Sequence, residues 1–469
     1  MFWSSGVTDD SRAAAAGNIV SSISLSTHRG LCHLAEQDRD MTTNFSRHFS
    51  ERSKELKASE VRELLKLLQV PDMISFAGGF PNPETFPVEI IREIVDDVLK
   101  KDGAQALQYG ITEGWMPLRE ALAERMRKKR IDASKDNLLI VSGSQQVIDL
   151  TGKILIDPKD VIVITAPTYL TALTGWALYR PTFESIPIDK DNMRMDVFEE
   201  RLKKLAKRAK TPKMVYVLPN FQNPAGVTMP EKNRKKVVDL SHEYDFIVLE
   251  DDPYGELRYR GEHIRPVKSF DDEGRVIYMS TFSKILSPGL RVGWAVAHEE
   301  ILRKMVIAKQ SADVSANVLG QRIACEYVVG GHIDPQIERI KAIYSRKLDI
   351  MLNGMEEYMP EGVEWTRPEG GMFLWVDLPG WMDSAELLKK ALKKRVAFVT
   401  GKAFFVDPRD GASAMRLNFT HPSDNLIEEG LRRLGSVLNQ EILASWDRPP
   451  DSVEKGIDEV VKRALGGKS

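Results

Sequence analysis

The sequence predicts an α/β protein: a mostly parallel central sheet covered by helices, followed by a smaller α+β lobe. Three observations carry this expectation. Between residues 135 and 300, short runs of Val, Ile and Leu alternate with segments of helical period, as in a parallel sheet buried on both faces. Over the last 130 residues the pattern changes to charged amphipathic helices with two strands. At 469 residues the chain is too long for one small core, so two lobes are expected.

Taken in order, residues 1–45 are rich in Ser, Ala and Thr, include Ala13-Ala14-Ala15-Ala16, and show no helical or strand period. They read as a disordered or misassigned extension, with Met41 a candidate start ahead of the first patterned segment, and no basic start followed by an apolar core marks a signal peptide. From Ala58, the residues Val61, Leu64, Leu65 and Leu68 follow helical spacing, with Arg62 at the edge of the apolar stripe. The run Phe76-Ala77-Gly78-Gly79-Phe80-Pro81 predicts a bend that brings backbone close to something. Strands are expected at 138–141, 161–165, 214–218, 246–249, 276–279 and 292–297, with helices at 145–156 and 230–243 between them. In the second lobe, helices are expected near 333–358 and 383–394, and strands near 372–377 and 413–419.

Composition narrows the function. The chain is 42% hydrophobic and 29% charged, with a net charge of −2, which gives no electrostatic reason for nucleic acid or an anionic membrane as partner. No apolar run approaches the ~20 residues of a spanning helix. Cys32 and Cys325 alone exclude a disulfide framework and a cysteine-based zinc site, and they point to a reducing, cytoplasmic setting.

The chemistry gathers where strands end. Past the strand at 276–279, Lys284 stands among Thr281, Ser283 and, seven residues on, Arg291. A lysine there suits a Schiff base with an aldehyde, and its neighbours suit a phosphate; both features belong to pyridoxal phosphate. Ser142-Gly143-Ser144-Gln145 precedes a helix, an arrangement that binds anions but more often only caps. Asn223 lies in a proline-ordered turn, where its amide either shapes the turn or meets the cofactor's phenolic oxygen. Glu250-Asp251-Asp252 follows an apolar strand and needs compensating charge. It reads as a solvated turn or as a partner for a protonated pyridine nitrogen, with Tyr254 sharing the phenolic oxygen. No nearby histidine supports a metal site there.

Each element alone is more often structural, but together they resemble the PLP-dependent aminotransferases of class I, fold type I. The nearest likeness is to the 2-aminoadipate, kynurenine and aromatic amino acid aminotransferases. It runs from about Ala58 to Phe419 and the helix beyond. Its words include Ser75-Phe76-Ala77-Gly78-Gly79, Leu107-Gln108-Tyr109-Gly110, Gln222-Asn223-Pro224-Ala225-Gly226, Phe282-Ser283-Lys284 and Pro368-Glu369-Gly370-Gly371-Met372-Phe373. The resemblance implies a large cofactor-binding domain over 96–330, a small domain over 331–469, and an arm with part of the small domain over 46–95. It implies transfer of an α-amino group to a 2-oxo acid such as 2-oxoglutarate, by a ping-pong mechanism through an internal aldimine on Lys284.

By the same resemblance Asp251 holds the pyridine nitrogen, and Asn223 and Tyr254 set the phenolate. Ser144, Gln145, Thr281, Ser283 and Arg291 hold the phosphate, and Tyr169 stacks on the ring. Tyr109 reaches the neighbouring active site of a homodimer. Arg416, with Gly79 and Asn223, takes the substrate carboxylate, and Arg62 addresses the substrate side chain. Thr281 stands where close relatives often carry serine, and the hydroxyl is kept. Other fold type I chemistry, as in a lyase or decarboxylase, shares this cofactor site; Arg416 with the Gly78-Gly79 bend favours transamination. An aminotransferase-like transcriptional regulator would need a basic, patterned N-terminal domain, which residues 1–45 do not supply.

Overall fold

The computed structural model describes residues 45–55 and 71–446. Chain contacts divide the described residues between Glu51 and Arg52 into two units. Of the first unit, the described residues hold a short 3-10 helix, Ser46–His48. The second unit carries everything that follows.

Its centre is an eight-stranded sheet. The strands are β1 (Leu138–Val141), β2 (Val161–Ala166), β3 (Thr182–Asp189), β4 (Asn192–Met193), β5 (Pro212–Val217), β6 (Ile247–Asp251), β7 (Val276–Thr281) and β8 (Gly293–Val296). Their spatial order is β1-β8-β7-β6-β5-β2-β3-β4. The pairs from β7 through β6, β5 and β2 to β3 are parallel, whereas β8 runs antiparallel to both β1 and β7. Side chains of β1, β7 and β8 are buried at every position, as continuous apolar runs covered on both faces require.

A second sheet of β9 (Glu364–Trp365), β10 (Phe373–Asp377), β11 (Val399–Thr400) and β12 (Ala414–Asn418) has the order β9-β10-β12-β11 and is antiparallel throughout. Helices Ile333–Tyr358 and Asp424–Trp446 pack against each other beside it. The segment Ile74–Ser75 pairs with Val396–Ala397, and Asn418 N–H donates to the Phe76 carbonyl. These bonds carry the glycine bend at 78–79 along the second sheet and out towards the first.

The six expected strands of the large sheet are all present, with boundaries shifted by no more than two residues. β3 and β4 were not expected. β3 reads Thr-Phe-Glu-Ser-Ile-Pro-Ile-Asp and is mostly half-exposed near the sheet's edge, so it lacks the apolar run that marks its neighbours. The helix expected from Ala58 lies outside the described residues, as does Arg62. Among the described residues no helix is long and apolar enough to cross a membrane.

Candidate active site

Polar residues collect at the carboxyl ends of the parallel strands, where ligands bind in open α/β sheets. β1 delivers Ser144, β2 delivers Tyr169, and β5 delivers Asn223. β6 ends on Asp251 and continues to Tyr254, and β7 ends on Thr281 and turns to Ser283 and Lys284. Because β8 is antiparallel, Arg291, two residues before it, reaches the same end. From the second sheet come Arg416 on the interior strand β12 and the Gly79 bend. All eleven line one cavity of about 340 Å³, which also includes Gln145 and the apolar residues Phe80, Leu170, Leu218 and Phe373.

Tyr109 is 80% exposed and does not line this cavity.

Local geometry explains how each group is presented. Ser144 precedes helix Gln145–Leu155 without capping it through its side chain. Gly143, at φ +79°, makes the turn before it. A Cβ there would lie 2.5 Å from the Arg291 guanidinium, which donates to the Ser142 carbonyl at 3.1 Å. The N-terminus of that helix, the Thr281 and Ser283 hydroxyls (2.9 Å apart) and Arg291 thus converge from three segments. Gln222, fully buried, donates to the Thr165 hydroxyl and the Pro167 carbonyl, locking the Asn223 turn to the strand end that carries Tyr169.

The charged groups decide what the cavity can hold. Lys284, Arg291 and Arg416 face it with Asp251 as the only carboxylate among its lining residues. The Lys284 amine donates to the Gly79 carbonyl at 3.0 Å. Removal from water, and then the cations Arg416 and Arg291, lower its pKa to about 8. Asp251 is 3% exposed. One carboxylate oxygen accepts the Tyr216 hydroxyl at 2.7 Å, and the other has no protein partner. Burial raises its pKa to about 7, against the Tyr216 bond and with help from the Asp252 charge.

Arg416 is likewise buried. It donates to the Asn223 amide oxygen and the Ala77 carbonyl, both at 2.9 Å, and its Nε has no partner. Its guanidinium lies 4.2 Å from the Phe373 ring centroid and 5.1 Å from that of Phe404. It forms no ion pair among the described residues.

The three acids after the apolar strand have separate fates. Glu250 accepts the Val267 and Lys268 backbone N–H groups, Asp251 faces the cavity, and Asp252 is bonded to Asn220 and Tyr278. Compensation therefore comes mostly from hydrogen-bond donors. Tyr216 was not expected from the sequence, because a tyrosine inside Met-Val-Tyr-Val reads as core. Phe404 and Phe373 escaped for the same reason.

A buried acceptor without a partner, a lysine of lowered pKa and an anion cradle of hydroxyls, helix N–H groups and arginine fit a phosphorylated pyridine aldehyde. Comparison with known proteins agrees. The family description "Aminotransferase class I and II" matches residues 71–434. The chain is 52% identical over 410 residues to aromatic-amino-acid aminotransferase 1 of Thermococcus litoralis, covering 87% of this chain and 98% of that one. The 2-aminoadipate transaminase of Thermus thermophilus is 38% identical, over 84% of this chain and 97% of its own. The solved structure of a Pyrococcus horikoshii kynurenine aminotransferase, in complex with PMP, superposes with a TM-score of 0.83 at 51% identity. The match covers 86% of this chain and 99% of that one.

Proposed function

The chain belongs to the class I and II aminotransferases and uses pyridoxal phosphate to transfer amino groups of amino acids; from that premise we propose the roles of its residues and its substrate. The amino donor is an aromatic amino acid, kynurenine included, and the acceptor a 2-oxo acid, 2-oxoglutarate first. The observation that carries this reading is the pairing inside one cavity of an unpaired, buried Arg416 with the apolar surface of Phe80, Leu170, Leu218 and Phe373. A guanidinium that keeps N–H groups free suits an α-carboxylate, and the apolar wall suits a ring. The names of the relatives support both aromatic and 2-aminoadipate donors.

When bound, pyridoxal phosphate accepts the electron pair left behind as the substrate's Cα proton departs. The protein's own groups do the rest. Ser144, Gln145, Thr281, Ser283 and Arg291 hold the phosphate. The unpartnered Asp251 oxygen holds the proton on the ring nitrogen, and Tyr216 keeps that carboxylate oriented. Asn223 and Tyr254 hydrogen-bond the phenolic oxygen, and Tyr169 covers the ring. Arg416 and the Gly79 backbone orient the substrate so that its Cα–H faces Lys284 Nζ, which takes the proton as a base and would return it to the carbon that the cofactor's aldehyde contributes, across the shared nitrogen. Its lowered pKa keeps a useful fraction neutral near pH 8.

Tyr109 completes the phosphate site of a partner subunit in a homodimer, a role supported by its exposure and its absence from the lining of its own cavity.

The test is a panel of aromatic, acidic and aliphatic amino donors with 2-oxoglutarate, ranked by kcat/KM. Aromatic donors are expected to lead. A ranking led by 2-aminoadipate or glutamate would overturn the donor assignment.

A further inference from the structure

Behind the cavity, a buried polar chain runs through four elements. Arg234, in helix Glu231–Tyr244, is fully buried and donates through Nη2 to the Asn220 side-chain oxygen at 2.7 Å. Asn220 donates in turn to one Asp252 carboxylate oxygen at 2.8 Å, and the Tyr278 hydroxyl donates to the other at 2.9 Å. The Asp252 backbone is held as well: its N–H donates to the Met279 carbonyl at 2.9 Å, and its carbonyl accepts the Ser280 hydroxyl at 2.7 Å. Asn220, Asp252 and Tyr278 are each less than 5% exposed.

The placement of these groups gives them consequence. Asn220 lies three residues before Asn223, Asp252 follows Asp251 and precedes Tyr254, and Tyr278 lies on the strand that turns to Lys284. Successive strand residues face opposite ways, so Asp251 meets the cavity while Asp252 points behind it. Gly255 gives Asp252 its room: a Cβ there would lie 2.4 Å from the carboxylate. Side chains locked by a second layer of hydrogen bonds are what hold a reactive group within a fraction of an ångström.

We propose that Asp252 is a positioning residue for the transfer reaction: through Asn220 and Tyr278 its carboxylate fixes the mutual placement of Asn223, Asp251 and Lys284. The inference rests on the roles proposed above for those three residues. Lys129 and Arg234 are the cations whose fields reach Asp252, His263 is a titratable imidazole that also feels it, and Glu250, with its buried carboxyl, is the neighbouring acid. Replacing the carboxylate with an amide removes an acceptor for one donor and the negative charge next to Asp251.

The experiment compares the full, cofactor-loaded chain with Asp252→Asn, Tyr278→Phe and, as a control for simple destabilisation, Leu348→Ala in the distant helix Ile333–Tyr358. For Asp252→Asn, kcat is expected to fall ~10- to 100-fold and the Kd for pyridoxal phosphate to rise about tenfold, the size of effect seen when groups supporting ligating side chains are lost. KM for the amino donor stays within about threefold, since Arg416 is untouched. The pH midpoint of the bound cofactor's visible absorption moves down by roughly half a unit or more, because removing an anion disfavours a nearby protonated cation. Tyr278→Phe keeps the anion and loses one of its donors, so kcat falls and Kd rises by smaller factors, while the midpoint holds or moves slightly up. Leu348→Ala lowers Tm but leaves midpoint and Kd in place.

An Asp252→Asn protein with wild-type midpoint and Kd would overturn the proposal, as would equal shifts in Leu348→Ala. If Asp252→Asn does not fold, Tyr278→Phe decides, and an unchanged kcat and Kd there overturn it. Failure of the wild-type chain to take up pyridoxal phosphate at Lys284 would instead sink the underlying roles.

Discussion

Arg234 and Arg416 are the same side chain under nearly the same conditions. Both are buried, and burial lowers the pKa of each to about 10. Neither forms an ion pair among the described residues. They differ in what meets their N–H groups. Arg234 has five donors and five acceptors: the carbonyls of Met229, Ile264, Arg265 and Pro219 and the Asn220 oxygen. Arg416 has two acceptors, a bare Nε and two aromatic faces. A fully satisfied guanidinium belongs to the framework, whereas one left short in a cavity keeps a place for an anion.

The sharpest way to break this contrast is to remove each charge. Arg416→Met is expected to lower kcat/KM by roughly 10²- to 10⁴-fold, since two charge-assisted bonds of about 1.5–3 kcal/mol each are lost to the substrate carboxylate. Its Tm should hold or rise, because a buried, underpaired cation is gone. Steady-state kinetics and a melting curve read both quantities. Arg234→Met should do the reverse. Five acceptors, three of them buried, lose a donor, and at ~2–4 °C of Tm per kcal/mol the melting point drops first and furthest. Equal losses of Tm in the two variants would erase the distinction.

Asp251 sharpens it from the acidic side. Its folded pKa, raised to about 7 by burial first, lies above the unfolded value. In the cofactor-free chain it therefore contributes stability at low pH that is lost as pH rises through about 7. Asp251→Asn should melt higher than wild type in cofactor-free protein at pH 8, with the gap closing towards pH 4. Turnover of the loaded variant should fall ~10²- to 10³-fold, as for other lost groups that meet developing charge. A variant that melts lower at pH 8 would mean that the carboxylate is better satisfied by the protein than its bare oxygen indicates.

The smallest effect concerns Lys284. The amine attacks an aldehyde only when neutral, and its lowered pKa of about 8 sets that fraction. Uptake of pyridoxal phosphate by the stripped protein, followed by absorbance, should quicken about tenfold per pH unit below 8 and level off above it. A rate still climbing at pH 10 would place the amine at its ordinary value.

Much of this site was legible in the sequence because parallel strands end abruptly. Leu138–Val141 stops at Ser-Gly-Ser, Ile247–Asp251 stops at its acids, and Val276–Thr281 stops just short of Ser283 and Lys284, so apolar runs point to polar groups. What stayed hidden has no such contrast. Tyr216 sits inside a core strand. Arg234 lies in Glu-Lys-Asn-Arg-Lys-Lys, which reads as a solvated helix face although the residue is fully buried. β3 carries a proline and alternating polarity, and its burial depends on neighbours far along the chain. Arg416 was reached through resemblance; its bond to the Ala77 carbonyl spans more than three hundred residues, and no local pattern reports it.

The account turns on one bond, between pyridoxal phosphate and the Lys284 amine. Reducing the loaded protein with borohydride fixes the cofactor to the lysine that holds it, and peptide mass spectrometry then identifies that residue. The account predicts a single modified peptide containing Phe282-Ser283-Lys284. A stoichiometric label on any other lysine, with Lys284 unmodified, would contradict it.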